Sequence, residues 1–264
     1  MWSVGFDFRA ARARQVYLSL RWAQVQNGHG GCQQIDGHGW ADVLARCSPA
    51  QQPCLAERRR TTVWLSGALA RPFLVAPVSG LTSREELMQV AQAQAAEATG
   101  LSDPCAVWLD GRWSAKTGGL AAAIETEVLA ALQAWAGLHR VPLTAVRPWW
   151  NLPLNDQWRA GSTTAGRAAL ISLQDEEALM VFGQDADGVL RCASTYWPLP
   201  EAEARVALMK RQGWSLTQAA GGGAMEAGLP RVHQGVRLSD ASTLQGPKAL
   251  TRIHWLGSGS GGTP

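Results

Sequence analysis

The sequence predicts an α/β fold built as two related halves, and three observations predict it. Runs with apolar residues on alternate positions open both parts of the chain, at "SVGFDFRAARARQVYLSL" (3–20) and at "AALISLQDEEALMVFGQDADGVLRCAS" (168–194), each reading as strand, turn and strand. Stretches with helical start and stop signals follow both. Between them "DQWRAGSTTAGRA" (156–168) shifts to small polar residues, so the second part begins the order of the first again.

In the opening hairpin Val4, Phe6 and Phe8 share one face, and Val16, Leu18 and Leu20 share the next. "RWAQVQ" (21–26) is a third strand candidate, "NGHGGCQQIDGHG" (27–39) an irregular glycine-rich loop, and "WADVLARC" (40–47) a short helix. Strands are expected at Thr62–Leu65 and Phe73–Val75, the second kept short or at an edge by Pro72 and Pro77. The Thr82/Glu85 capping-box spacing and Gly100 delimit a helix over 83–99. "CAVWLDGRWSAK" (105–116) reads as a hairpin turning at Asp110–Gly111. A helix over 120–136 follows, with Ile124, Val128, Leu132 and Trp135 on one face and Gly137 as its stop, then a strand in "VPLTAV" (141–146). The second part has turns at Gln174–Asp175 and Asp187–Gly188 and a helix over 200–212 ended by Gly213. From 219 onward "AAGGGAMEAG" and "GSGSGGTP" are flexible by composition, with "ALTRIHWL" (249–256) the stretch able to order. The expected division is a first half at 1–163, a shortened second half at 164–218 and a flexible C-terminal tail at 219–264.

Composition excludes some functions. A formal charge of +3 with 17% charged residues is too mild a bias to imply nucleic acid or a membrane surface on charge alone, and none is expected as a partner. No stretch approaches the roughly 20 apolar residues of a membrane span, and Asp7 and Arg9 interrupt what a signal peptide would need. Five cysteines form no even disulfide framework, which fits a reducing, cytoplasmic setting. Thirteen tryptophans serve mostly as core, and "RPWWN", with Trp149 and Trp150 between prolines, is the candidate partner surface.

The order of elements, and the run "TTVWLSGALARPFLVAPVSGLTSREELMQVAQAQAAEATGL" followed by "AVWLDGRWSA" and a helix ending "AGLHRVPLTAVRP", resembles the actin-like, ribonuclease-H-like pilus assembly proteins PilM and HofM and the cytoplasmic part of the secretion protein GspL. The likeness covers residues 3 to about 215 and implies an actin-like fold, with a nucleotide held between phosphate hairpins in intact members. Such members carry glycine and a hydroxyl residue after a first aspartate and an Asp-x-Gly turn in the second half. Asp7 takes the first acidic position, but Phe8 and Arg9 follow it. Asp175 takes the second, in a turn without glycine. Glycine is needed there because its bare backbone approaches a phosphate closely. The resemblance therefore implies a degenerate nucleotide site marked by Asp7, Arg9 and Asp175, and no bound cofactor. ATP with magnesium, gripped by Arg9, Arg12 and Arg14, is the alternative.

Other constellations are poorer. His29, Cys32, His38, Cys47 and Cys54 lie close in sequence, but only His29 and Cys32 have zinc-like spacing, so no metal is expected. No nucleophile-and-base pattern stands out, so no catalytic residue is assigned. The expected function is a non-catalytic cytoplasmic scaffold of a type IV pilus or type II secretion-like platform, a pseudo-ATPase that binds a short cytoplasmic segment of an inner-membrane partner. The partner strand would add to an unpaired edge in 62–80, with Arg71, Phe73, Trp149 and Trp150 as contacts. The alternatives are an ATPase with atypical phosphate loops and a tryptophan-rich binding module unrelated to secretion.

Overall fold

The computed structural model describes residues 14–26, 32–48, 55, 60–80, 83–102, 104–111, 118–152, 154–155, 169–175, 177–184, 190–196, 231–238 and 253–256. The first sheet begins as an antiparallel meander of β1 (Arg14–Leu18), β2 (Trp22–Gln26) and β3 (Cys32–Asp36). Helix α1 (Trp40–Arg46) then leads back to β4 (Thr61–Leu65), which pairs parallel with β1 so that Val16 lies opposite Val63. A parallel neighbour requires such a crossover, because a tight turn reverses the chain. Strand β8 (Leu143–Pro148) pairs parallel with β4 and completes the order β3-β2-β1-β4-β8.

Among the described residues the first hairpin is 14–26, and the strand expected at Val4–Phe8 lies outside them. The hairpin's turn, Ser19–Arg21, contains neither Gly nor Asp and gives no composition signal. Ser19 closes it instead, its Oγ accepting the N–H groups of Arg21 (3.2 Å) and Trp22 (3.1 Å) and donating to the Trp22 carbonyl (3.0 Å). Nor is "TTVWL" an edge: β4 is flanked by β1 and β8.

Between β4 and β8 the chain inserts a three-stranded sheet, ordered β5-β7-β6, from β5 (Arg71–Val75), β6 (Cys105–Leu109) and β7 (Gly119–Glu125). Helix α2 (Arg84–Thr99) covers one face of it. The capping box that starts α2 is Ser83 with Glu86, one residue beyond the expected pair, and Gly100 ends the helix at φ 66°. The run "GLAAAIE", expected as the first turns of a helix, is the central strand β7. Its Ala121 and Ala123 face the α2 cluster, while Leu120, Ala122 and Ile124 face the main core. A strand buried on both faces shows no polar alternation, which is why the helical period misleads here. Gly118 precedes it at φ 73°, where a Cβ would lie 2.2 Å from the Val75 carbonyl oxygen. Helix α3 (Thr126–Leu138) follows and buries Val128, Leu132 and Trp135.

The second sheet takes the order β11-β10-β9-β12-β13, from β9 (Ala169–Gln174), β10 (Ala178–Gln184), β11 (Leu190–Tyr196), β12 (Arg231–Leu238) and β13 (Ile253–Leu256). An antiparallel meander again leads, and β12 runs parallel to β9 as β4 does to β1. The fifth strand differs, since β13 is antiparallel to β12. The stretch expected as a flexible tail thus supplies two strands, because β9 offers β12 a backbone ladder that composition cannot register. The helix expected over 200–212 lies outside the described residues. Trp150 ties the sheets together, T-shaped against Trp108 of β6 at 5.9 Å and tilted against Phe182 of β10 at 5.4 Å.

Candidate functional site

Strands β1, β4 and β8 are parallel neighbours, so the turns after them, at Ser19, Ser66 and Trp149, share one edge of the first sheet. Open α/β sheets hold ligands in a crevice at this carboxyl edge. In this chain the turn between β9 and β10 of the second half fills the place.

Asp175 opens that turn and is buried. Its Oδ1 accepts the backbone N–H groups of Glu177 (2.9 Å) and Ala178 (2.7 Å), which fixes the turn itself. Its Oδ2 accepts two donors from the first half, the Gly67 N–H (2.7 Å) and the Trp149 indole N–H (2.5 Å). Glu177 repeats the arrangement two residues on, its Oε2 accepting the Leu20 N–H (3.0 Å) and the Ser66 hydroxyl (2.9 Å). Gly67 is required by the closeness of the halves: a Cβ there would lie 2.8 Å from the Ala178 Cβ and 2.9 Å from the Met180 sulfur.

Burial raises the Asp175 carboxyl above the ordinary carboxylate range, and the N–H donors of Gly67, Glu177, Trp149 and Ala178 pull against it. Burial likewise raises Glu177. The Leu20 N–H opposes this, the Asp175 charge reinforces it, and the Ser66 and Ser19 hydroxyls oppose it. The result is a clasp of charge-assisted hydrogen bonds between the two sheets, each carboxylate serving as an acceptor for backbone and side-chain donors.

Of the residues expected at a nucleotide site, Asp175 is in the turn foreseen for it, with its carboxylate committed to four donors. Asp7 and Arg9 lie outside the described residues; the first-half groups that meet Asp175 are the Gly67 N–H and the Trp149 indole, while Leu20 meets Glu177. The four expected partner contacts are all engaged internally. Phe73 lies on β5, which is at the edge of its sheet as expected, but it is 4% exposed and packs into the α2 cluster, so it is not half-exposed. Trp149 binds Asp175, and Trp150, fully buried, donates to the Ala70 carbonyl (2.8 Å). Arg71 donates to the carbonyls of Ala68 (3.2 Å) and Thr99 (2.9 Å) and stacks 4.2 Å over the Tyr196 ring. Large apolar side chains bury most area where layers meet, which places Trp149 and Trp150 between sheets and Phe73 under helix α2.

Sequence reasoning missed Ser19, Ser66, Gly67 and Glu177. A signal existed: Leu18-Ser19 and Leu65-Ser66 are the same dipeptide, each closing a parallel strand. Of the suggested metal cluster, Cys47 is buried with its carbonyl accepting the Trp135 indole N–H, His38 is exposed, and His29 and Cys54 lie outside the described residues. Among the described residues no group of three His, Cys, Asp or Glu side chains is placed to hold a metal ion.

No protein-family profile and no curated protein sequence matches the chain. Solved structures do. A Bacteroides thetaiotaomicron protein with an actin-like ATPase fold and unknown function overlays at a TM-score of 0.51 and 10% identity, covering 80% of this chain and 81% of that one. The fold is actin-like. The actin-like chain also overlays the cytoplasmic domain of EpsL, an inner-membrane component of the Vibrio cholerae type II secretion system, at a TM-score of 0.43 and 12% identity, over 68% of this chain and 70% of that one. It overlays a structure of the PilM–PilN type IV pilus biogenesis complex at 0.45 and 12%, over 79% of this chain and 68% of that one.

Proposed function

We propose that this chain is a non-catalytic scaffold at the cytoplasmic face of a type IV pilus or type II secretion-like assembly, and that it binds a short cytoplasmic segment of an inner-membrane partner. The observation that carries the non-catalytic part is the filled crevice: Asp175 and Glu177 consume the donors at the carboxyl edge of β1, β4 and β8. Two carboxylates in that position repel a phosphate, and neither turn has the glycine run that would let backbone N–H groups surround one. The assembly role follows from the resemblance of residues 3 to about 215 to the PilM, HofM and GspL group. No described helix is long and apolar enough to cross a membrane, which suits a protein recruited by a partner that does.

The test has two arms. The full chain is incubated with the tagged cytoplasmic segments of inner-membrane assembly proteins encoded beside it, and retention of one segment is expected. Calorimetric titration with magnesium-ATP and a phosphate-release assay are expected to be flat. Micromolar ATP affinity or steady phosphate release overturns the non-catalytic reading, and failure to retain any segment overturns the scaffold reading.

A further inference from the structure

The edge formed by Leu20, Ser66 and Gly67 has the chemistry of a small-oxyanion site. Two backbone N–H groups and one hydroxyl converge there from the ends of adjacent parallel strands, and all three donate to carboxylate oxygens of the other half. Glu177 is held differently from Asp175. Asp175 accepts on both oxygens, two donors each, and its Oδ1 bonds build its own turn. Glu177 reaches into the edge with Oε2 alone, while Oε1 is buried without a hydrogen-bond partner among the described residues. A side chain that places one oxygen on donors of another segment, contributes nothing to its own turn and leaves its second oxygen unsatisfied behaves as an occupant of a site.

We propose that Glu177 is a resident ligand: its carboxylate fills an oxyanion site made by the Leu20 N–H and the Ser66 hydroxyl, and removing it opens that site to an external carboxylate or phosphate. This deepens the non-catalytic reading above and rests on it. The anion that joins the two halves is part of the chain, so closure needs no diffusible ligand. Truncating Glu177 leaves two donors facing a space of carboxylate size, which formate fits and inorganic phosphate fits if the turn yields.

Thermal unfolding of the full chain is followed in sodium chloride, sodium formate and sodium phosphate at equal ionic strength. Glu177→Ala is expected to melt below wild type in chloride and to gain about 3–6 °C in formate. Wild type and Glu177→Gln, whose site is filled, should melt alike in chloride and formate. A gain in phosphate as well as formate assigns a general oxyanion site, and a gain in formate alone a carboxylate-sized one. An equal formate effect in all three proteins, or none in Glu177→Ala, overturns the proposal. Should Glu177→Ala not fold, the Leu20 amide proton of wild type is followed by NMR across the ionisation of Glu177. It must move in wild type and stay still in Glu177→Gln, and a resonance indifferent to pH overturns the proposal. Neither readout involves ATP or a partner, so ATP turnover or a failed segment capture would sink the functional reading while leaving this result interpretable.

Discussion

Replacing Asp175 by Asn tests the clasp most directly. The substitution keeps the shape of the side chain but exchanges one accepting oxygen for an NH2 group. Oriented one way, the amide oxygen serves the Glu177 and Ala178 N–H groups, and its nitrogen then confronts the donors of Gly67 and Trp149. Flipped, it abandons the turn instead. Either way two buried donors lose their acceptor, at about 1–3 kcal/mol each, so the gross cost is about 2–6 kcal/mol. Removing a buried charge returns part of this, leaving a net loss of about 2–4 kcal/mol. Equilibrium unfolding in urea, followed by tryptophan fluorescence, should show a lower midpoint at an unchanged slope. Asp175→Ala, which orphans all four donors, should fall further. A midpoint for Asp175→Asn equal to wild type would refute the reasoning, since the carboxylate would then contribute nothing to joining the halves.

Gly67→Ala should destabilise by about 1–3 kcal/mol in the same assay, because its Cβ meets Ala178 and Met180 across the seam; a neutral substitution would mean the halves separate freely there. Phe73→Asp should lose about 3–5 kcal/mol or fail to fold, with circular dichroism reporting the loss, since it places a charge in the α2 cluster; an intact spectrum and melting temperature would return Phe73 to the surface. The Glu177 carboxyl is raised in the folded state, so the folded chain holds its proton to higher pH than the unfolded chain. Stability is therefore greatest below the unfolded value of 4.5 and declines as pH rises through the raised folded value, then levels. Urea midpoints measured from pH 4 upward should show this decline in wild type and a shallower one in Glu177→Gln, and superimposable profiles would exclude Glu177 as its source.

Alternation and local punctuation were enough to read most elements from the sequence: the β9–β10–β11 meander with its turn at Asp175, the helix ended by Gly100, and the duplicated order that an actin-like fold requires. These depend on contacts within a few residues, which composition and spacing encode directly. Tertiary structure alone decided the rest. "GLAAAIE" is a strand because two cores, one on each face, claim alternate residues. The hairpin 14–26 joins the first sheet because β1 pairs with β4. Trp149 and Trp150 are buried because sheets meet over them, and Phe73 because helix α2 covers its face of the sheet. The clasp itself joins residues 108, 111 and 157 positions apart, Gly67 to Asp175, Ser66 to Glu177 and Leu20 to Glu177. Donors and acceptors so distant leave no periodicity along the chain. Ser19, Ser66 and Glu177 read as ordinary polar turn residues in the sequence, and become a site only when the packing of two sheets removes the water that would otherwise satisfy them.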